Sequence, residues 1–311
     1  MSTPAVPEVG PAPLRSHHDP EPRAIIPAPV VVALALVYVI WSSTYLAIRV
    51  LVHEVPPFGS GGLRYLLAGV ILLAVQRARG EKLPAWRQWA AALPTGALLF
   101  AVGNGLVASA ERTIASGVAA VVCGTMPLWA GVMGPAIGER ATRREWLGMG
   151  VGFAGVVVLS MGGDLRADPW AALLLVLAPI GWAAGSLASR RLPIAKGASG
   201  AATHMITGGI VMLVIATLTG EQAPSAISST ALLSFAYLTV FGSVIAFSAY
   251  SYLLQHARPA LAMSYAYVNP ALAVVLGAVM GAEHVGGVVV VATAMIVAAV
   301  FLLVRGRAPG K

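Results

Sequence analysis

The sequence repeats one pattern at a spacing close to half of its own length. Three positions recur at a constant offset of 143, so that Pro127, Gly134 and Gly138 are followed by Pro270, Gly277 and Gly281. Four further positions recur at an offset of 141, namely Trp41, Leu46, Ala47 and Arg49 as Trp182, Leu187, Ala188 and Arg190. A period of this length in a chain of 311 residues predicts a duplicated structural unit.

Long apolar stretches show what each unit is made of. Hydrophobic residues make up 58% of the chain and charged residues only 10%, whereas about 25% of residues are charged in a soluble domain. Helices of about 17 to 25 apolar residues cross a hydrocarbon core of about 30 Å. The sequence predicts ten such spans, at residues 29–49, 58–78, 88–109, 114–137, 145–161, 168–189, 200–219, 230–254, 259–281 and 285–305.

Five predicted spans fall in each half, and because five is odd, the second half enters the membrane from the opposite side. The expected fold is therefore an all-α integral membrane protein with ten transmembrane helices in two inverted five-helix repeats. The repeats are predicted to cover residues 29–161 and 168–305. Residues 1–28 and 306–311 are predicted cytoplasmic tails, and the first is expected to be disordered because it is proline-rich and has no apolar run.

The positions of the basic residues orient the predicted spans. Of the 20 Lys and Arg residues, 16 fall on the side of the N-terminus, three fall at the opposite ends and Arg64 lies inside the second span. Because cytoplasmic loops carry the excess of Lys and Arg, we expect both termini in the cytoplasm and the chain in a bacterial inner (plasma) membrane. The net charge of +8 then reflects topology, and no nucleic acid is expected as a partner. A single cysteine, Cys123, excludes an intrachain disulfide.

The recurring glycines and prolines have an expected role in helix packing and bending. Small residues let membrane helices approach closely. Two pairs spaced by four residues are predicted to form such faces on the fourth and ninth helices, namely Gly134 with Gly138 and Gly277 with Gly281. Pro127 and Pro270 each remove a backbone hydrogen bond deep in a span and are predicted to kink it. Each proline is either a hinge or an ordinary kink.

Several of these motifs resemble those of a known group of membrane proteins. The motifs are Trp41–Tyr45, Arg64, Ala119–Pro127 with Gly138 and Glu139 after it, Asn269 with Pro270, and Glu283. They are similar to the drug/metabolite transporter superfamily, and most closely to its EamA-type ten-helix branch. The resemblance covers about residues 29–305, which is nearly all of the chain outside the tails.

The resemblance implies two five-helix bundles around a central cavity that exports small metabolites, amino acids or drugs by alternating access. Such export is usually in exchange for a proton or down a gradient. One feature departs from the wider superfamily, whose small four-helix members carry an essential glutamate in the first helix. The first predicted span here, 29–49, contains no acidic residue. That proton-exchange mechanism therefore does not carry over, and a proton remains only a candidate coupling ion.

Polar and aromatic side chains deep in the predicted spans are candidates for a substrate site, because polar groups in hydrocarbon are costly and usually face a cavity or a partner. Trp41 and Trp182 lie at equivalent depths in the two halves, and they either line the cavity or pack in the core. Two polar candidates in the ninth span are four residues apart and share one helix face. The cavity candidates are Trp41, Ser43, Tyr45, Asn104, Trp129, Trp182, Tyr265 and Asn269.

Three charged residues are candidates for a gate or a substrate contact. Arg64 either extends its guanidinium toward the membrane surface, binds a substrate carboxylate or pairs with an acid at a gate. Glu139 and Glu283 end the fourth and ninth spans on opposite sides of the membrane. They are either symmetry-related gate groups or members of helix-end salt bridges. No Asp or Glu lies at mid-membrane, so a deep carboxylate proton relay is not expected.

The sequence does not indicate an enzyme. It contains neither the GxxxxGK[ST] phosphate loop of ATP-driven transport nor the HExxH and GxSxG motifs of hydrolases. No cofactor and no metal site is expected, because the adjacent His17 and His18 lie in the predicted tail. The expected partners are a small-molecule substrate and the lipid bilayer, with the chain as a monomer or homodimer. A membrane-embedded enzyme or a non-transporting scaffold is the alternative.

The predicted topology can be tested by thiol labelling. In a Cys123→Ala background, Ser16→Cys and Ala308→Cys should resist membrane-impermeant thiol reagents in intact cells, because both termini are predicted to be cytoplasmic. Ser225→Cys lies in a predicted outer loop and should react. Labelling of either terminus from outside contradicts the ten-span topology.

Overall fold

The computed structural model describes residues 26–114, 116–160, 168–269, 271–272 and 287–304, and every regular element in this part of the chain is helical. The all-α class is thereby confirmed. In chain order the helices are α1 Ala28–Val52, α2 Pro57–Ala78, α3 Trp86–Ala110, α4 Ser116–Cys123, α5 Met126–Met133, α6 Arg143–Ser160, α7 Pro169–Ser189, α8 Gly197–Leu218, α9 Ser229–His256, α10 Pro259–Ala262 and α11 Gly287–Val304.

Within the described residues, six helices are long and apolar enough to cross a membrane. They are α1, α2, α3, α7, α8 and α9, which correspond to the first three predicted spans of each half. Two shorter apolar helical segments, Met126–Ile137 and Ala294–Leu303, fall in the fourth and tenth predicted spans. The total of ten spans stays a prediction.

The fourth predicted span, 114–137, is not one continuous helix. α4 ends at Cys123, a turn follows at Gly124 and Thr125, and α5 begins at Met126. Pro127 is the second residue of α5, where a backbone N–H would have no acceptor within the helix. Pro127 therefore begins a new helix instead of kinking a continuous one, which corrects the expectation from sequence. Its counterpart Pro270 lies outside the described residues.

Gly134 and Gly138 shape the end of this segment. A 3₁₀ turn covers Gly134–Ile137, and Gly138 then adopts a left-handed conformation with φ of 77°. A Cβ at Gly134 would collide with the carbonyl oxygen of Glu139, because the chain folds back on itself there. Gly134 and Gly138 therefore form a turn at the end of this segment, which corrects the expectation that they form a packing face between helices. Gly277 and Gly281 lie outside the described residues.

The two repeats pack against each other through matching pairs of helices. α2 packs along α8, the second span of each repeat, and α6 packs along α11, the last helix of each repeat. The first span of each repeat packs against the third span of the other, with α1 on α9 and α7 on α3. This reciprocal pattern is the one that two copies of the same unit produce when they interlock.

The third span of each repeat contains a π-helical segment. The segments are Ala97–Gly105 in α3 and Leu238–Ile245 in α9, and they begin 141 positions apart, at the offset of the repeat. In π-helix, backbone hydrogen bonds reach five residues back, so the side chains that follow are rotated relative to those of a continuous α-helix. Such turns are rare and often lie at functional sites.

Glycines permit the close contact between α2 and α8. A Cβ at Gly62 would lie 2.9 Å from the Gly209 carbonyl oxygen and 2.9 Å from the Leu213 nitrogen. A Cβ at Gly69, two turns further along α2, would lie 2.9 Å from the Ala202 carbonyl oxygen. Because apolar helices gain no hydrophobic drive to associate in lipid, close packing at small residues is what holds them together.

Substitution at this contact should destabilise the protein. Gly62→Ala forces a methyl group onto backbone atoms of α8, which cannot move aside, and overpacking of this kind costs about 1 to 3 kcal/mol. We expect a lower midpoint of thermal unfolding in detergent. Gly150→Ala in α6 is the matched control, because nothing lies within 4 Å of a Cβ at that glycine. Equal midpoints for the two variants would show that α2 and α8 are not in close contact.

Candidate functional site

A cavity lies between the two repeats and is enclosed by helices of both. About 60 Å³ is available to the centres of water molecules, enough for roughly four to six waters at 10–15 Å³ each. The lining residues are Trp41, Thr44, Tyr45, Ile48, Arg64, Tyr65, Phe100, Gly103, Asn104, Val107, Cys123, Met126, Trp182, Gly242, Phe247, Tyr265 and Asn269.

The cavity lies toward the end of the bundle at which α1 ends and α2 begins. Its residues from α1 fall within 41–48 and those from α3 within 100–107, in the C-terminal half of each helix. At this end the Glu54 carboxylate accepts hydrogen bonds from the Ser228 backbone N–H at 2.8 Å and hydroxyl at 2.6 Å. These bonds lower the pKa of Glu54 and place the end of α1 beside the start of α9.

Aromatic rings form the wall of the cavity that faces the start of α1. The ring of Trp41 meets Trp182 edge to face, with centroids 5.5 Å apart, and meets Tyr265 at 4.7 Å. Phe100 and Phe247 approach to 4.7 Å beside them. Such pairs contribute about 0.5 to 1.5 kcal/mol each beyond the area they bury. The equivalent tryptophans of the two repeats are therefore in direct contact at the centre of the molecule.

Both indole N–H groups are already used inside the protein. Trp41 Nε1 donates to the Gly242 carbonyl oxygen at 3.0 Å, and Trp182 Nε1 donates to the Tyr250 hydroxyl at 3.0 Å. The first bond links α1 of the first repeat to α9 of the second, and the second links α7 to α9 within the second repeat. A solute in the cavity therefore meets the carbon surface of these rings and not their donors.

Arg64 faces the cavity, and its side chain is only 4% exposed. Nη2 donates to Asn104 Oδ1 at 3.1 Å and also to the Tyr65 hydroxyl. The guanidinium carbon lies 4.2 Å from the centre of the Tyr65 ring. Nε has no hydrogen-bond partner among the described residues. The guanidinium therefore points inward, and the alternative in which it extends to the membrane surface does not describe this structure.

The other predicted polar candidates of the cavity come together around it. Asn269 is buried, and its Oδ1 accepts from the Ser42 hydroxyl at 3.2 Å. The Tyr265 hydroxyl donates to Met126 Sδ at 3.3 Å. Tyr45 also lines the cavity. Tyr265 and Asn269, which are four residues apart, both line the cavity.

Two of the predicted cavity residues lie elsewhere. The Ser43 hydroxyl is hydrogen-bonded to the Tyr237 hydroxyl at 2.6 Å, away from the cavity. Trp129 packs with Met133 and Met263 in a separate small cluster. Neither residue is among those that line the cavity.

Ion pairs join the repeats at the end where α1 begins. Glu139 Oε1 lies 2.8 Å from Arg190 Nε, and the same guanidinium donates to the Ala257 carbonyl oxygen at 2.9 Å. Arg258 Nη2 donates to Glu145 Oε2 at 2.9 Å nearby. Glu139 therefore takes part in a helix-end salt bridge that spans the two repeats. Glu283 lies outside the described residues.

Several residues of the cavity wall, and Tyr250 in the aromatic cluster beside it, were not predicted. Phe247, Tyr250 and Phe100 complete the aromatic cluster with the two tryptophans. Phe247 and Tyr250 are three positions apart on α9, a spacing that places them on one face and that the sequence contained. Tyr65 is adjacent to Arg64, so the arginine could have drawn attention to it.

Comparison with known proteins gives consistent matches over most of the chain. A sequence model of the EamA-like transporter family matches residues 28–161 and again residues 169–305. The Escherichia coli K12 protein named "Uncharacterized inner membrane transporter YedA" is 41% identical over 276 residues, which is 88% of this chain and 90% of that protein. The Bacillus subtilis protein named "Uncharacterized transporter YdfC" is 27% identical over 250 residues, with 79% and 81% covered.

The fold has a counterpart among solved structures. One crystal structure superposes with a TM-score of 0.71 at 23% sequence identity and covers 88% of this chain and 95% of the other. At this identity the likeness concerns the arrangement of helices.

A buried acid lies close to the cavity. Glu111 follows the last residue of α3, is 1% exposed, and neither carboxylate oxygen has a hydrogen-bond partner among the described residues. Loss of hydration raises the pKa of this carboxyl well above its usual range, and the charge of Arg49 opposes the rise in part. The sequence did not identify Glu111, because a charged residue at the end of a span is usually solvated.

Replacement of Glu111 should stabilise the protein at high pH. A carboxyl whose pKa is raised by folding contributes full stability below its unfolded pKa, and stability falls as the pH rises toward the folded value. Glu111→Gln should therefore raise the thermal midpoint in detergent at pH 8, by a few degrees if the unsatisfied group costs about 1 to 3 kcal/mol, and leave it nearly unchanged at pH 5. Glu81→Gln, at an exposed position, should change neither. An equal shift of the midpoint by Glu111→Gln at pH 5 and at pH 8, relative to the wild type, contradicts this account.

Proposed function

Because the chain belongs to the EamA-like transporter family, we propose that it is a secondary active transporter that exports a small metabolite, amino acid or drug-like compound by alternating access. The observation that carries this proposal is the cavity between the repeats, which contains a buried cation and an aromatic wall and is closed off by ion pairs at one end. A binding site at the interface of two repeats is the arrangement on which alternating access depends.

The described conformation corresponds to one facing state in this scheme. The cavity lies toward the end where α1 finishes, and the Glu139–Arg190 pair closes the end where α1 begins. With the predicted topology, the closed end is the cytoplasmic one. Of the α1 residues that line the cavity, Trp41 is the one nearest to that end of the helix, and its ring contacts Trp182.

Elements that recur at equal depth in the repeats are the proposed hinges. The π-helical segments of α3 and α9 occupy equivalent positions, and backbone hydrogen bonds in such segments have alternatives one residue apart. Pro127 follows the turn that separates α4 from α5, and the repeat offset assigns the same role to Pro270. Bending at one copy would open one end of the cavity, and bending at the other copy would open the opposite end.

The proposed gates follow from the duplication, with offsets of 141 for the arginines and 144 for the glutamates. Arg190 corresponds to Arg49, and Glu139 corresponds to Glu283, which lies outside the described residues. The repeat alone therefore pairs Glu283 with Arg49 in the state that closes the other end. One ion pair forms as the other breaks, so neither facing state is permanently favoured.

Access to Cys123 tests the gate. This residue is the chain's only cysteine and lines the cavity. Glu139→Gln removes a partly exposed ion pair, which contributes about 1 kcal/mol or less, and should increase labelling of Cys123 from the cytoplasmic face of inside-out vesicles by up to about fivefold. Glu81→Gln serves as the control and should not change labelling. Unchanged labelling in Glu139→Gln removes this ion pair from the gating scheme.

Counterflow in proteoliposomes tests transport itself. Protein reconstituted with a panel of unlabelled metabolites inside should accumulate the labelled counterpart of its substrate, and protein-free liposomes should not. A pH gradient that changes the rate identifies the proton as the coupling ion. Absence of counterflow for every compound, together with equal access to Cys123 from both sides, rejects the assignment as a transporter.

A further inference from the structure

The cavity wall carries hydrogen-bond donors that lack acceptors. Arg64 Nε and Asn269 Nδ2 have no hydrogen-bond partner among the described residues, although the two side chains are only 4% and 1% exposed. They belong to different repeats and both line the cavity. A buried donor without an acceptor is costly, and more so when it is charged. A ligand that supplies acceptors at this position would remove that cost.

The charge of the cavity is also unbalanced. The partners of the Arg64 guanidinium are neutral, namely Asn104 Oδ1 and the ring and hydroxyl of Tyr65. The described lining residues include no Asp or Glu. A buried cation is normally paired or neutralised. Glu111 lies near the cavity but outside its lining, and burial raises the pKa of its carboxyl well above the usual range, which favours the neutral form. The lining therefore has a net positive charge and would favour a solute that brings a negative one.

The aromatic rings that face Trp41 have their own N–H and O–H groups bonded within the protein. Trp41 and Trp182 donate their N–H groups to protein acceptors, and the Tyr265 hydroxyl is directed to Met126 Sδ. These rings, together with Phe100, present carbon surface to the cavity. The apolar part of a solute would be stabilised there by contact with aromatic rings.

We propose that the substrate is a small organic acid whose carboxylate binds Arg64, with Asn269 as a second donor and the apolar part of the acid against Trp41 and Trp182. The proposal rests on the transport function above and specifies its substrate class. A carboxylate has two acceptor oxygens and forms paired bonds with a guanidinium. An ammonium group finds no carboxylate among the described lining residues. Acids are therefore selected over amines of the same shape.

The size of the cavity limits the acid. About 60 Å³ for water centres accommodates a carboxylate and a few further atoms. A larger body, such as a benzene ring, requires separation of the aromatic wall, which the opening of the opposite end provides. The carboxylate of the acid then lies in the cavity, and its apolar body lies between Trp41 and Trp182. These two residues belong to different repeats, so they separate when the repeats move apart.

Binding to the purified full-length protein tests the proposal independently of transport. We would titrate matched sets that share a body and differ in one group, namely benzoate, benzamide and benzylamine, and acetate, acetamide and ethylamine, with benzenesulfonate and phenylphosphonate as other anions. The readouts are quenching of tryptophan fluorescence and the shift of the thermal midpoint. We expect saturable binding of at least one carboxylate, and at least tenfold weaker binding of its amide and amine.

Variants on a single helix identify the responsible group. Arg64→Gln should weaken binding of the carboxylate at least tenfold. Arg64→Lys keeps the charge but loses the planar pair of donors, so it should retain the preference for acids with intermediate affinity. Arg79→Gln, at the exposed end of the same helix, should bind as the wild type does. Correct folding of each variant is checked by its thermal midpoint without ligand.

Three results would overturn the proposal: equal binding of acid and amine, unchanged acid binding in Arg64→Gln, or no saturable binding of any carboxylate in the panel. If benzenesulfonate or phenylphosphonate binds more tightly than benzoate, the site prefers a tetrahedral oxyanion to a carboxylate. That result would also overturn the proposal. Failure of the transport function has a different signature. Carboxylates would then bind through Arg64, while counterflow of the same labelled acids would be absent.

Discussion

The rest of the structure depends on the close contact between α2 and α8. A lipid environment offers apolar helices no hydrophobic reason to associate, so contact is stable only where backbones come close. Gly62 and Gly69 provide that approach on α2, and Gly96 and Gly208 extend it to α3, where a Cβ at Gly208 would lie 2.7 Å from the Gly96 carbonyl oxygen. Next to this contact between α2 and α8, the first span of each repeat packs against the third span of the other. The cavity lies between these helices.

Two unsatisfied polar groups in the cavity destabilise the fold locally, and contacts between the surrounding helices have to offset this. A guanidinium with a free Nε and an amide with a free Nδ2 are both buried in it, and each is less favourable than an apolar side chain of similar volume. The aromatic cluster around Trp41 and the ion pairs at Arg190 stabilise the same region. The position of these unsatisfied groups, at the interface where the repeats have to separate, is consistent with a site that gains its missing partners from a solute.

Much of the fold and part of the site could be predicted from the sequence, because hydropathy and repetition are properties of the linear chain. Arg64, Tyr45 and Asn104 were candidates from the sequence, and the structure places all three on the cavity. Ser43 could have been excluded, since the cavity stripe of α1 follows the spacing i, i+3, i+4 and i+7 from Trp41 to Ile48 and Ser43 falls off it.

Other features depend on backbone geometry that residue type does not determine. A glycine permits both close helix contact and a left-handed turn, so the pair Gly134 and Gly138 did not distinguish between them. Pro127 is compatible with a kink and with the first turn of a helix, and only the turn at Gly124 decides between the two. Glu111 was missed for a similar reason, because its burial results from contacts between elements that are distant in sequence.

The paired π-helical segments also bear on the history of the chain. A π-helical turn arises from an α-helix by insertion of a single residue, and such turns account for well under 1% of residues in proteins. Two independent insertions at the same depth, in Ala97–Gly105 and in Leu238–Ile245, would be a rare coincidence. The simpler account is that the ancestral five-helix unit already contained the extra residue before its gene was duplicated, so the irregularity is older than the two-repeat protein that now contains it twice.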